Sequence, residues 1–206
     1  DIFQKNHELA QLSGKGGGVG IYLGDLRGRD AIISGNGGKS EGIIPWCKVY
    51  DSTTIGVSQG QTRRGASAAY LPVWHKDIME FLRMRRPVGD INRQCLNLHH
   101  GVVIDDKFMK DLEDGDKRSK EIWIEIVKTR TETGEPYILY VDNANRLQHA
   151  YLTDKGLSIK VSNICLTGDT LVAVADGRNG ISIKQLAKES NKINKFPVYS
   201  ARHVKY

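Results

Sequence analysis

The sequence has little cysteine, no long apolar run and no dense tract of one charge. Its three cysteines, Cys47, Cys95 and Cys165, are odd in number and far apart. They fit neither a disulfide framework nor a CxxC metal site, so they predict a reducing, cytoplasmic setting and no bound metal. No run of about 18 apolar residues is present, so the sequence predicts no membrane-spanning helix.

The charge is mildly basic and evenly mixed. The formal net charge is +6 and the pI is about 9.2, with acidic residues among the basic ones almost everywhere. This mixture predicts a solvated surface without direct nucleic-acid binding, and it leaves affinity for phosphorylated small molecules open. The first residues, DIFQKNHELAQL, lack the features of a signal peptide and predict an amphipathic helix already under way. Its expected buried side comprises Ile2, Phe3, Leu9 and Leu12.

Strand and helix patterns alternate along most of the chain, which predicts an α/β fold. Short apolar runs, VGIYL and AIIS, lie between glycine clusters, and further strands are expected before Trp74, within CLNLHHGVVIDD and within EPYILYVDNANR, whose last residues predict a turn. Helices are expected from Pro45, over 77–85, over 105–112 and over EIWIEIVKTRTETG, which stops at Gly134. The expected packing residues of these helices are Trp46, Val49, Tyr50, Ile78, Phe81, Leu82, Met84, Ile122, Trp123, Ile126 and Val127.

The composition changes at Cys165. From there, two short β-like runs flank the turn DGRNG and are followed by a short helix and another β-like run. This pattern is typical of a small all-β unit. The sequence therefore predicts two domains, 1–164 and 165–206.

Two glycine-rich loops resemble nucleotide-binding motifs without matching them. GKGGGVG does not fit GxGxxG in any register, and GNGGKS lacks the first glycine of a P-loop, because Ile33 stands in its place. The loop SQGQTRRG carries two arginines, which suit phosphate but equally suit a solvent-facing loop. These patterns alone favour tight turns and close packing.

Two motifs contain histidines that could take part in chemistry. Trp74 and His75 predict a core tryptophan beside a polar residue at a helix start. His99 and His100 are neighbours on a predicted strand, where side chains alternate between faces, so a two-histidine metal site is not expected.

Asn163 and Cys165 are two residues apart in an apparently extended segment, KVSNIC. Residues two apart on a strand project to the same side, so a thiol and an amide would address one ligand. A buried, unreactive cysteine is the alternative interpretation.

Residues 1–165 resemble the catalytic large subunit of ribonucleotide reductase, class I most closely. The resemblance is continuous and in family order, through GGVGIYLGDLRG, SGNGGKSEGIIPWCKVYD, SQGQTRRGASAAYLPVWHKDIMEFL, TETGEPYILYVDNANR and SNIC. It implies part of a ten-stranded α/β barrel whose finger loop carries a thiol that becomes a thiyl radical. That radical takes the ribose 3′ hydrogen, and loss of the 2′ hydroxyl and reduction then give the deoxyribonucleotide.

The resemblance also implies roles for individual residues. Cys165 falls at the radical cysteine, Asn163 at the asparagine that orients the substrate, and Gly18 at a glycine that contacts the substrate. Four residues fall in the regions that sense effector nucleotides such as ATP and transmit specificity, namely Arg27, Gln59, Arg63 and Arg64.

Further partners follow from the same resemblance. The chain itself is expected to bind no cofactor, and its radical would come from a di-iron or di-manganese small subunit or, in class II, from adenosylcobalamin. Thioredoxin or glutaredoxin would be the reductant, and the complete large subunit would be a homodimer. Parts of the family barrel, its redox cysteines and its radical-transfer tyrosines are not in this sequence, so the chain alone is expected to be incomplete and inactive.

The residues from Cys165 onward resemble the N-terminal block of an intein, a self-splicing element with the Hint fold. The matching residues are CLTGDTLVAVADGRNGISIKQLA and KFPVYSARHVKY. The reductase finger would continue with glutamate where this chain has Thr167. An intein inserted before the radical cysteine would use Cys165 as its nucleophile against the Ile164 carbonyl, and splicing would restore a cysteine behind Ile164. A TxxH block and a terminal His-Asn pair are not present, which implies a truncated or a split arrangement.

Three functions are therefore expected as alternatives. The first is a fragment of ribonucleoside-diphosphate reductase that becomes active after splicing. The second is a splicing precursor whose own chemistry is the acyl shift at Cys165. The third is an inactive remnant that still binds nucleotides.

Overall fold

The computed structural model describes residues 1–35, 37–58, 65–162, 171–172, 174 and 180–189. The chain divides into two compact units, Asp1–Asn163 and Ile164–Tyr206. Helices within the described residues are all too short or too polar to cross a membrane.

A four-stranded parallel sheet forms the centre of the first unit, in the order β1-β2-β3-β4. Each connection between neighbouring strands contains at least one helix, as parallel pairing requires. The strands are β1 Gly18–Tyr22, β2 Ala66–Pro72, β3 His99–Ile104 and β4 Tyr137–Tyr140. This arrangement confirms the predicted α/β class.

Seven α-helices accompany the sheet within the described part of the first unit, and the ends of several of them follow the capping residues of the sequence. Asp116 precedes α5 and accepts a hydrogen bond from the Ser119 amide at 2.7 Å, and Gly134 ends α5 with a φ of 79°. The helices are α1 Ile2–Gly14, α2 Ile44–Val57, α3 Ile78–Arg83, α4 Asp106–Glu113, α5 Lys117–Thr133, α6 Val141–Arg146 and α7 Ala150–Asp154.

The hydrophobic core lies between one face of the sheet and helices α1 to α5. The sheet contributes alternate residues, such as Ile21, Leu71 and Val102, because successive side chains on a strand point to opposite faces. The helices contribute the residues predicted from helical periodicity, and those that are almost fully buried are Tyr50, Ile78, Phe81, Leu82, Met84, Ile122 and Ile126.

Several sequence predictions about single elements are wrong. Phe3, Leu12 and Val127 were expected to be buried, but 67%, 52% and 47% of their respective surfaces are exposed. The pattern AIIS forms no strand of its own, since Ile32 makes only an isolated bridge to Lys39.

Two further predictions differ at the ends of strands. The residues VDNANR continue beyond β4 as helix α6 instead of a turn. Trp74 is 38% exposed rather than central to the core, and its indole N–H donates to the Asp105 carboxylate at 2.7 Å.

The second unit contains the predicted short strand pair and short helix. Strands β5 Leu171–Val172 and β6 Ile181–Ser182 pair in antiparallel fashion, and α8 Ile183–Glu189 follows directly. The DGRNG turn and the β-like run predicted after the helix lie outside the described residues.

Candidate active site and the loops around it

The face of the sheet opposite the helices carries small residues at the start of β1 and β2, and this part is called the small-residue face below. Paired residues of parallel strands share a face, and Gly18 pairs with Ala66 while Gly20 pairs with Ala68. Gly101 lies on the same face, paired with Tyr70 of β2 and Tyr137 of β4. The glycines and alanines of β1 and β2 leave room for another segment or a ligand against the backbone of the sheet, whereas the Tyr70 ring fills the space above Gly101.

The segment before Asn163 occupies part of this small-residue face. A Cβ atom on Gly20 would lie 2.9 Å from the Ser162 carbonyl oxygen and 3.2 Å from the Val161 side chain. Only glycine permits so close an approach of two backbones without displacement. The chain therefore crosses β1 at Gly20 immediately before residues 163–165.

Asn145 of α6 holds the start of this crossing segment. Its side-chain amide donates to the Ile159 carbonyl at 3.0 Å, and its side-chain oxygen accepts from the Ile159 amide at 2.7 Å. These two hydrogen bonds fix the backbone at Ile159, two residues before Val161. Helix α6, which the sequence predicted as a turn, thus has a direct role in the placement of the segment.

Tyr70 links the sheet to the same segment. Its ring is 1% exposed and covers Gly101 so closely that no Cβ atom would fit there. Burial raises the pKa of the Tyr70 hydroxyl, and a hydrogen bond with Ser162 acts in the opposite direction. The hydroxyl therefore stays protonated near neutral pH and connects β2 to Ser162.

The predicted catalytic residues fall at or beyond the edge of the described structure. Gly18 is the first residue of β1 and is half-buried on the small-residue face. Asn163 and Cys165 lie outside the described residues, directly after Ser162 in the sequence.

The predicted effector residues Gln59, Arg63 and Arg64 also lie outside the described residues. The two ends of their loop are described, and the Ser58 hydroxyl donates to the Gly65 carbonyl at 3.4 Å. Gly65 packs against Ser13 of α1 so tightly that a larger residue would not fit. The base of loop 59–64 is therefore held at the start of β2, beside the small-residue face.

Arg27 is exposed and lies in the loop between β1 and α2. It lines a cavity of about 410 Å³, and no hydrogen bond or ion pair engages its side chain within the described ranges. Other lining residues come from the same loop and from the start of α2, and they include Asp25, Lys39, Glu41 and Trp46. The Arg27 guanidinium and the Lys39 ammonium can donate to an anionic group there, while the Asp25 and Glu41 carboxylates on the same lining oppose it.

A His–Glu–His cluster was not predicted from the sequence. Glu135, just before β4, bonds to the Nδ1 atoms of both His99 and His100, at 3.0 Å for the latter, and accepts from the His100 amide at 3.1 Å. Burial would raise the pKa of Glu135, but the hydrogen bonds from both histidines and the charge of Arg85 outweigh it and hold the pKa well below its usual value.

His100 is fully buried, and burial lowers its pKa more than its bond to Glu135 raises it. The cluster is therefore an ionised carboxylate beside a neutral His100. Within the described ranges, no three His, Cys, Asp or Glu side chains are grouped as metal ligands.

The two described cysteines have no features of a reactive thiol. Cys47 and Cys95 are both fully buried and unpaired. Burial raises the pKa of the Cys47 thiol well above its usual value and raises that of Cys95 to about 12. Since the thiolate is the nucleophile, these two cysteines serve as small core residues.

Comparison with known proteins places the chain in a family. The sequence profile for the ribonucleotide reductase barrel domain matches residues 1–119 and 116–167. The putative ribonucleoside-diphosphate reductase large subunit of Frog virus 3 is 42% identical over 173 residues, which cover 77% of this chain and 29% of the relative. The corresponding large subunit of Invertebrate iridescent virus 6 is 38% identical and covers 83% of this chain and 19% of the relative.

A solved structure agrees with this placement. The class Id ribonucleotide reductase alpha subunit of Actinobacillus ureae superposes with a TM-score of 0.68 at 27% identity, over 80% of this chain and 29% of that one. The chain thus spans less than a third of the length of these relatives.

Proposed function

Because this chain belongs to the ribonucleotide reductase family whose barrel domain it matches, we propose that it forms part of the catalytic site of a ribonucleoside-diphosphate reductase. The observation that carries the proposal is the crossing of Val161 and Ser162 over Gly20. The described chain reaches the small-residue face, on which Gly18 begins β1, at Ser162, and Asn163 and Cys165 follow within three residues in the sequence. The ribose of the substrate would bind against that face and react with this amide and thiol.

The proposed chemistry is a hydrogen transfer followed by reduction. A thiyl radical at the position behind Ile164 takes the 3′ hydrogen of the ribose, which forms an S–H bond and leaves a carbon radical. The 2′ hydroxyl then takes up a proton and leaves as water, while a dithiol reductant such as thioredoxin or glutaredoxin supplies two electrons and two protons and becomes a disulfide. The S–H bond finally returns its hydrogen to the 3′ carbon, which restores the thiyl radical. The Asn163 amide orients the ribose hydroxyls, and the Gly18 backbone lets the sugar approach the strand.

The radical itself would come from a partner of this chain. A dimetal small subunit fits a class I enzyme, while adenosylcobalamin would serve a class II enzyme.

The effector site is proposed at the loops around β1 and β2. Arg27 lines an open cavity, and Ser58 and Gly65, the residues that flank 59–64, are joined beside the small-residue face. Effector phosphates would bind Arg27, and the loop that carries Gln59, Arg63 and Arg64 would transmit the effector's identity to the substrate site.

The test of the reductase proposal is the conversion of CDP to dCDP. The complete protein that contains this segment is supplied with a small subunit and dithiothreitol, and dCDP is measured by chromatography. We expect dCDP to form only when both are present. A folded, complete protein that forms no dCDP with any radical source would contradict the proposal.

Protein splicing at Cys165 is a second proposed function. It is favoured by the family match, which ends at residue 167, and by the separate unit that begins at Ile164 with its own short strand pair. In this proposal the Cys165 thiol attacks the Ile164 carbonyl, so that the peptide bond is exchanged for a thioester and the Cys165 amine is released.

An added thiol distinguishes this activity. We expect dithiothreitol to cleave the chain between Ile164 and Cys165, since it exchanges with a thioester, while the phosphine reductant TCEP leaves the chain intact. Mass spectrometry of the products measures the cleavage. An intact chain in dithiothreitol, or equal cleavage of Cys165→Ala, would exclude the acyl shift.

A further inference from the structure

The loop between β1 and α2 is held at two points by one carboxylate. Asp77 is 5% exposed, and its side chain accepts from the Arg29 amide at 2.9 and 3.2 Å and from the Ile43 amide at 3.1 Å. Hydrogen bonds from amides to a carboxylate are charge-assisted, so they are shorter and stronger than hydrogen bonds between neutral groups. Asp77 therefore fixes two points that lie 14 residues apart in the chain.

The two residues before Asp77 add further bonds to the same loop. His75 Nδ1 accepts from the Asp77 amide at 3.1 Å, which leaves Nε2 protonated as the donor to the Leu26 carbonyl at 2.9 Å. The Lys76 ammonium donates to the Arg29 carbonyl at 2.6 Å. The tripeptide His75–Asp77, which begins three residues after the end of β2, thus holds Leu26 and Arg29, the residues on either side of Arg27 and Gly28.

Glycines let the loop approach this tripeptide. A Cβ atom on Gly28 would lie 2.9 Å from the Lys76 Cβ and 3.3 Å from an Asp77 carboxylate oxygen. Gly42 adopts a φ of 83°, which favours glycine, and packs between Asp77 and Arg29. The tight packing of Gly28 and Gly42 shows that the loop is in direct contact with the Asp77 carboxylate at two points.

Strand β2 connects the tripeptide His75–Asp77 to residues 59–64, the second segment of the proposed effector site. Loop 59–64 enters the N-terminal end of β2, and the tripeptide leaves its C-terminal end. Within the described ranges no hydrogen bond or ion pair holds the Arg27 side chain, so its position depends on the backbone at Leu26 and Arg29.

We propose that Asp77 is a positioning residue for effector binding: it holds loop 24–43 so that Arg27 is presented to a nucleoside triphosphate. The proposal rests on the effector site assigned above. Its physical basis is pre-organisation, because a loop that is already ordered loses less conformational freedom when the ligand binds. Asp77 itself does not touch the ligand.

The test compares Asp77→Asn with Asp105→Asn in the complete protein. Asparagine keeps the size of the side chain but removes its charge. Asp105 is a matched control, because it also accepts a backbone amide, that of Phe108 at 2.7 Å, but caps α4 and does not contact the loop. Binding of dTTP is measured by equilibrium dialysis, and amide hydrogen exchange is measured at Arg29 and Ile43.

We expect Asp77→Asn to weaken dTTP binding about tenfold, the equivalent of losing one charge-assisted hydrogen bond's contribution. Exchange at Arg29 and Ile43 should accelerate in this variant alone, while Asp105→Asn keeps wild-type values for both measurements. If Asp77 only stabilised the fold, both variants would have a lower melting temperature, and dTTP would not bind selectively more weakly to Asp77→Asn.

Two failures can be told apart. If the wild-type protein binds dTTP and Asp77→Asn binds it equally well, the positioning role is wrong while the effector site stands. If the wild-type protein does not bind dTTP at all, the effector assignment fails and the regulatory inference fails with it. Unchanged exchange at both amides would show that Asp77 does not hold the loop.

Discussion

At the residue scale, the His99–Glu135–His100 cluster shows what the sequence could not reveal. The two histidines are neighbours on a strand, so alternation correctly places their rings on opposite faces. Both still reach Glu135, because this residue lies just before the adjacent strand β4. In the chain it is 36 residues from His99 and 35 residues from His100. A contact at that separation depends on strand register, which no local pattern contains.

The cluster predicts how stability depends on pH. Burial lowers the pKa of His100 below its ordinary value of 6.5, so the unfolded chain binds the proton more readily than the folded chain. The contribution of neutral His100 is therefore complete above that value and declines as the pH falls through it. The lowered pKa of Glu135 acts in a separate window, below its ordinary value of 4.5.

Replacement of His100 tests this account. We expect the melting temperature of the wild-type chain to fall between about pH 7 and about pH 5.5, and the fall to be smaller in His100→Gln, which cannot take up a proton. His149→Gln is the control, because that side chain is exposed and should leave the slope unchanged. Equal slopes in all three proteins would show that His100 is not buried as a neutral group.

At the element scale, periodicity and capping predicted most helices and strands. Helix α5 illustrates why: Ile122 and Ile126 are four residues apart on one face, and Gly134 supplies the left-handed residue that ends the helix. The failures share a different cause. Val127 and Leu12 are apolar at helical spacing but exposed, because the width of a buried stripe depends on which elements pack against it, and a sequence does not state this.

The polar contact between α3 and α5 was also not predicted. Glu125, 7% exposed, accepts from Arg83 at 2.9 Å and from Arg86 at 2.8 Å. It lies on the packed side of α5, at a position where periodicity predicts an apolar residue. The hydrogen bonds from both arginines lower the pKa of Glu125, so the carboxylate stays ionised in this partly desolvated contact.

Removal of the Glu125 charge should destabilise the first unit. We expect Glu125→Gln to lower the free energy of unfolding by about 2 kcal/mol, since Arg83 and Arg86 lose the buried carboxylate they share and Arg86 keeps only the partly exposed Glu132. Urea denaturation measures the change. The control is Glu8→Gln, which removes a short but exposed pair with Lys5 and should have little effect. Small and equal losses in the two variants would contradict the account.

At the scale of the whole molecule, the chain forms four parallel strands that offer a small-residue face to an approaching segment. The family and the α/β class could be predicted from the sequence, because the matching motifs run in order through most of the first unit. The crossing of the segment over Gly20 could not, since Gly20 and Ser162 are far apart in the chain. The glycine pattern alone predicted only a tight turn or close packing.

Our account depends on that crossing, and an added methyl group tests it most directly. The measurement is the rate of dCDP formation by the complete protein with Gly20→Ala, and with Gly56→Ala as the control. A Cβ atom on Gly20 meets the Ser162 carbonyl oxygen at 2.9 Å, whereas one on Gly56 meets nothing within 4 Å.

We predict that Gly20→Ala lowers the rate at least about a hundredfold, because a displacement of about 1 Å can cost that factor when reacting groups must be aligned. Gly56→Ala should retain the wild-type rate. A folded Gly20→Ala protein that forms dCDP as fast as the wild type would contradict the placement of the catalytic segment on this face.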